Sequence, residues 1–176
     1  MNINNIKNYL DDYSIYYLSK YTVTAEKFKL ILKRKILKDF LSKKLNNDEK
    51  IQAENNIDSI INKYSKNKVI NEEYSIKNKV MFLRERGTSI RKIEIVLMQS
   101  MYTKNLIKRE IDNLKSEKDI EIKLLNIFCK KKKLIMYDKL WNKDNKKQYN
   151  KTISKIIRAG FSHDILNKFI KEYGSI

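Results

Sequence analysis

The sequence predicts an all-α protein, three tandem three-helix units forming an elongated helical array. Three observations lead there. The 176 residues contain no proline and three glycines, a poor inventory for hairpin turns and a good one for helices joined by short polar loops. Apolar residues recur at alternating steps of three and four along nearly the whole chain, the period of a one-sided helix. Finally, segments of the chain align with one another at fixed offsets, as the copies in a repeat protein do.

The elements follow in order. Ile3, Ile6, Leu10, Tyr13 and Tyr17 form one stripe. After Tyr21 the hydroxyls of Thr22 and Thr24 can cap a second helix, which carries Phe28, Ile31, Leu32, Phe40 and Leu41 inward. The polar stretch KKLNNDEK breaks the pattern before a third helix with Ile57, Ile60, Ile61 and Tyr64. Beyond SKNK, Asn71 caps a fourth helix whose first turn holds Glu72 and Glu73, where the helix dipole favours acids. Gly87 is placed to end that helix in the left-handed region. Ser89 caps a fifth helix with Ile90, Ile93, Val96 and Leu97, and Thr103 a sixth with Leu106, Ile107, Ile111 and Leu114. Three more follow. One passes through Ile120, Leu124, Ile127 and Phe128 into KKKK. The next carries Ile153, Ile156 and Ile157 to Gly160. The last, capped by Ser162, bears Ile165, Leu166, Phe169, Ile170 and Tyr173.

Residues 17–32 lie over 82–97 at a constant offset of 65, pairing Thr24 with Ser89, Phe28 with Ile93 and Leu32 with Leu97. Residues 97–111 lie over 156–170 at an offset of 59, pairing Leu97 with Ile156, Thr103 with Ser162 and Ile107 with Leu166. These alignments divide a single helical-repeat domain, 1–176, into approximate units 1–66, 67–116 and 117–176. One such unit cannot hide its apolar face alone, so neighbours must stack.

Charge narrows the function classes. Lysine plus arginine number 39 against 21 acids, a net +18, which favours an anionic partner such as nucleic acid or an acidic protein face. AT-rich coding also inflates lysine but does not explain the shortage of acids. One cysteine, Cys129, permits no internal disulfide and fits a reducing compartment. The N-terminus lacks a signal-peptide layout, and no apolar run reaches bilayer length. The chain reads as cytoplasmic, with no membrane partner, and monomeric.

A search for catalytic groups yields none. His163, the single histidine, reads as a solvated first-turn residue, and Cys129 as a buried structural thiol. One histidine and one cysteine cannot make a zinc site. Asp11 and Asp12 are adjacent on a helix and point apart, and no phosphate-binding glycine loop is present. The reading is therefore a non-enzyme with no cofactor and no metal.

What remains is cationic. Arg84, Arg86, Arg91 and Lys92 bracket the helix start in RERGTSIRKIEIVL, residues 84–97, and three of these four have no evident packing role. A helix start offers free N–H groups and a positive dipole end to an anion. Lys130, Lys131, Lys132 and Lys133 form a run that must radiate around a helix end. A third cluster, NKDNKKQYNK, follows Trp141 and includes Tyr149. Most of the aromatic residues follow the inward stripes and read as core.

Four stretches resemble the RecX family of regulatory proteins, which modulate the RecA recombinase. YLSKYTVTAEKFKLILKRK resembles the family's opening motif of a Tyr-Leu pair, a hydroxyl cap and a cation-rich helix. RERGTSIRKIEIVL resembles its central motif of paired cations, Gly, a hydroxyl cap and a basic apolar helix. FCKKKKL resembles the aromatic-plus-basic run opening its third unit, and IIRAGFSHDI its closing motif. The four stand in the family's order and the likeness covers nearly the whole chain. Two departures stand out. Met101 replaces a glycine usual at the end of the second unit's middle helix, and KVINEEYS matches the start of that unit only loosely. The resemblance implies a protein that binds within the groove of the RecA–DNA filament and inhibits recombination, ATPase and co-protease activities. It makes Arg84, Arg86, Arg91, Lys92, Lys130–Lys133 and Arg158 candidates to meet acidic recombinase surface or the phosphates of single-stranded DNA. The alternatives are a sequence-independent nucleic-acid-binding module that needs no recombinase, and a helical adaptor for another acidic partner.

Overall fold

The computed structural model describes residues 3–134 and 146–173, with side chains from residue 8 to 134 and from 149 to 173. Among these the chain is all-helical: α1 Ile3–Leu18, α2 Ala25–Leu41, α3 Asn47–Lys66, α4 Glu72–Glu85, α5 Ile90–Gln99, α6 Lys104–Lys115, α7 Ile120–Lys131, α8 Lys146–Arg158 and α9 His163–Tyr173. Contacts gather them into two compact units, 1–75 with 100–102, and 76–99 with 103–176.

In the first unit, α3 packs on α1 and α2. Leu10, Phe28, Leu32, Ile36, Ala53, Ile57 and Ile60 form its core. Tyr13, Tyr17 and Tyr21 succeed one another along the rim with ring centroids 6.0 and 4.8 Å apart. Two part-buried hydroxyl–carboxylate contacts tie α1 down. The Tyr9 hydroxyl donates to Asp39, which also holds Lys35. Tyr64 donates to Asp11 across 2.9 Å, and Lys63 reaches the other oxygen of that carboxylate. Asp11 is thus structural. The second unit packs α5 on α6 and α7 on α9 around Ile93, Leu97, Ile111, Leu124, Leu125, Ile156, Leu166 and Phe169.

The caps fall where the sequence places them. Thr24, Asn71, Ser89, Thr103 and Ser162 each accept from the backbone N–H three residues on, and the aligned core positions Leu32, Leu97 and Ile156 are each 0% exposed. Asn46 adds a capping box with Glu49, so α3 begins inside the polar stretch KKLNNDEK. Leu41 corrects the reading of the second helix: it is 72% exposed. The buried row of α2 is Phe28, Leu32, Ile36 and Asp39. Two residues beyond Asp39, at roughly 100° per residue, Leu41 swings to the opposite face. Tyr173, on the last turn of α9, is also exposed. Ile3 and Ile6 lie outside the residues whose side chains are described.

A chain short of glycine must still turn its helix ends. Gly87 (φ 68°) and Gly160 (φ 95°) take left-handed positions, but so do Lys43, Lys68, Met101 and Lys133. At the end of α7, Lys133 donates to the Lys130 carbonyl and Leu134 to that of Cys129, closing a Schellman turn that folds Leu134 back into the core. Part of the lysine run is thereby a helix terminator.

Candidate nucleic-acid and protein interface

The region begins with one hydrogen-bond pattern that occurs twice. Thr24, capping α2, donates its hydroxyl to the Ser100 carbonyl at 2.9 Å, and the Ala25 N–H beside it donates to Glu72 Oε1 at 2.9 Å. Ser89, capping α5, donates to the Ala159 carbonyl at 2.8 Å, and Glu121 lies beside the Ile90 N–H, whose dipole acts on its carboxyl. Ser89 lies 65 residues after Thr24, and Ala159 lies 59 after Ser100, so both sequence offsets meet in one geometry. Glu72 and Glu121 thus stand in like positions beside the two capped helix starts.

This arrangement changes how the RERGTSIRK stretch can meet an anion. The α5 N-terminus already faces one, the chain's own Glu121. Burial pushes that carboxyl above the ordinary glutamate range, against the N–H of Ile90, which acts to lower it. Its Oε2 is buried without a hydrogen-bond partner among the described residues. An external anion must therefore be met by side chains.

Those side chains line a groove. One hollow, with about 510 Å³ of open space, is bounded by Lys92, Phe128, Lys132, Leu134, Lys155, Arg158 and Ala159. A second adjoins it, sharing Lys92, Phe128, Lys132 and Ala159 and adding Leu83, Arg86, Gly87, Thr88 and Val96. The floor is apolar and its rim carries Arg86, Lys92, Lys132, Lys155 and Arg158. No acid lines either hollow among the described residues. Gly87 lets the turn approach this closely. A Cβ there would stand 2.3 Å from the Phe128 amide nitrogen and 2.8 Å from the Leu124 carbonyl oxygen. Gly160 is constrained by a side chain instead, since its Cβ would fall 2.6 Å from the Ser89 hydroxyl.

Of the cations singled out from sequence, Arg86, Lys92, Lys132 and Arg158 meet on the groove. Arg86 lies over the Phe82 ring at 4.9 Å. Arg158 gives its Nε to the Ser154 carbonyl at 3.1 Å, which leaves its terminal nitrogens to act. Arg84 has a packing role: its Nη2 is 2.7 Å from Glu117 Oε2. Arg91, Lys130, Lys131 and Lys133 are exposed and do not line either hollow. Sequence reasoning missed Lys155, and it placed Phe128 on the inward stripe and in the FCKKKKL run without making it a site candidate. The spacing of Lys155 and Arg158, three residues apart on a helix, was the available signal for a shared face. Trp141 and the cluster following it up to Asn145 lie outside the described residues, as do the side chains of Lys146 and Lys147; Tyr149 is half-buried.

The two groups weighed for chemistry are apart from this surface. Cys129 is fully buried, and burial pushes its thiol up to about 12. His163 is exposed at the first position of α9. Among the described residues, no group of three or more His, Cys, Asp or Glu is placed to hold a metal ion. None of the described helices is long and apolar enough to cross a membrane. No family model, curated protein or solved structure matches the chain.

Proposed function

We propose that this chain is a cytoplasmic, monomeric regulatory protein of three tandem helical units. It binds the RecA recombinase filament on DNA and lowers its strand-exchange, ATPase and co-protease activities, with no catalytic group or cofactor of its own. One observation carries the reading. Three of the four stretches that resemble the RecX family contribute to a single groove: Arg86, Gly87, Thr88 and Lys92 from the central one, Phe128, Lys132 and Leu134 from FCKKKKL, and Arg158 and Ala159 from the closing one. Stretches that served only to terminate helices would have no need to converge on one cationic surface.

A rim of five cations over an apolar floor suits a partner that combines negative charge with exposed apolar groups, as a nucleoprotein filament does. Comparing binding to recombinase-coated and to bare single-stranded DNA tests the proposal. Tighter binding to the coated strand is expected. Equal binding to both would replace it with a nucleic-acid module acting alone.

A further inference from the structure

We propose that the groove is a nucleotide-binding site, which seats one planar base on Phe128 and its phosphates on Lys92, Lys132, Lys155 and Arg158. The inference concerns the same groove but needs no recombinase, so either proposal can fail alone.

The groove's composition sets the ligand chemistry. Phosphate alone would explain the cations but not the apolar floor. An apolar ligand alone would leave five cations facing one another across the two hollows, with no acid to offset them among the described residues. A nucleotide carries both parts, a flat π-face and adjacent negative charge. Lys92, Phe128 and Lys132 border both hollows, so the single aromatic sits centrally with cations around it. Phe128 is half-buried, and its ring packs at a tilt on Phe161, centroids 5.7 Å apart, which fixes it as a platform. About 510 Å³ in the larger hollow matches the size of sites that hold one small ligand. Because α5 already has Glu121 at its N-terminus, the phosphates are assigned to side chains rather than to free backbone N–H groups. A nucleotide unit can come from a free nucleoside polyphosphate or from a single strand, and the test separates the two.

The experiment titrates the full chain with ATP, inorganic tripolyphosphate and an oligothymidylate of about 12 nucleotides, a length within the range that single-strand-binding folds cover. The variants are Phe128→Leu, which keeps an apolar floor without the aromatic face, and the exposed pair Lys155→Glu with Arg158→Glu. Circular dichroism checks that each folds. The proposal expects a base-containing probe to bind more tightly than tripolyphosphate. Phe128→Leu should cut that binding about tenfold, the scale of one lost base–aromatic stack, and leave tripolyphosphate unchanged. The double charge reversal should weaken all probes that bind. ATP binding with this pattern assigns a free nucleotide, and oligothymidylate binding without ATP binding assigns a strand. Tripolyphosphate binding as tightly as both, with Phe128→Leu silent, would reduce the groove to a general polyanion patch and overturn the proposal. So would binding of none of the three probes. Should Phe128→Leu fail to fold, the ratio of ATP or oligothymidylate to tripolyphosphate affinity in the wild type decides alone.

Discussion

The Ser89 hydroxyl donates to the Ala159 carbonyl across 2.8 Å, in the same relation that Thr24 bears to Ser100. Each hydroxyl also caps its own helix, so each does two jobs from a position at most 1% exposed. Ser89→Ala and Thr24→Val should each cost about 1–3 kcal/mol, a lost cap plus a carbonyl left without its donor. Urea unfolding of the two variants measures this. Losses of similar size are expected, and a negligible loss at one site would show that the two bonds are not equivalent.

The left-handed positions make a graded series. Gly87→Ala would press its Cβ on the α7 backbone as well as strain a φ of 68°, and should destabilise by about 2–5 kcal/mol. Gly160→Ala also strains a φ of 95°, but its one close contact is the Ser89 hydroxyl, which can rotate away at the cost of its bond, so its loss should be smaller. Met101 occupies the position aligned with Gly160 and has φ 63°. Met101→Gly relieves strain but frees the unfolded chain, and a net gain of up to about 1 kcal/mol in thermal unfolding is expected.

Glu121 gives the pH dependence. Its folded-state carboxyl titrates above the ordinary glutamate value because it is buried. As pH climbs through that interval, the unfolded chain releases its proton first, so this group lowers stability as pH rises. Glu121→Gln keeps an oxygen for the Ile90 N–H and removes the titration. The variant should match wild type in acid and exceed it in melting temperature near neutrality, with the gap opening across that interval. A gap independent of pH would mean that Glu121 titrates normally.

Cys129 should be inert in the folded chain. It is 0% exposed and its thiol is pushed up to about 12 by burial, so neither access nor thiolate is available near neutral pH. Reaction with an aromatic disulfide reagent should wait on unfolding and become immediate in denaturant. Rapid native labelling would contradict the burial of α7.

The helices, their caps and most core positions were legible because periodicity and capping chemistry are local. Leu32, Leu97 and Ile156 could be paired from spacing alone. Leu41 could not be placed, because the buried row of α2 ends in a carboxylate, Asp39, held by Tyr9 of α1 and by Lys35 one turn earlier on α2. An aspartate in the core leaves no apolar signal. The likeness of Glu72 to Glu121 was hidden for a similar reason: it rests on the helix start each carboxylate lies beside, and the surrounding residues differ. At the groove, individual cations were legible but their grouping was not. Lys132 and Lys133 are neighbours in sequence, yet one lines the hollow and the other turns the helix end. Lys155 entered only when folding brought α8 beside Phe128. The Arg84–Glu117 pair likewise spans 33 residues, beyond any local pattern.

The most direct test is the rate of DNA-dependent ATP hydrolysis by a RecA recombinase as this protein is titrated in, beside the variant carrying Lys92→Glu, Lys132→Glu and Arg158→Glu. Reversals at exposed positions should change stability by only about half a kcal/mol each, so the variant remains folded. Wild type should suppress hydrolysis in a concentration-dependent way, and the variant should lose at least about tenfold in potency, which corresponds to about 1.4 kcal/mol of binding. Hydrolysis untouched by the wild-type protein at concentrations that saturate bare single-stranded DNA would contradict the proposed function.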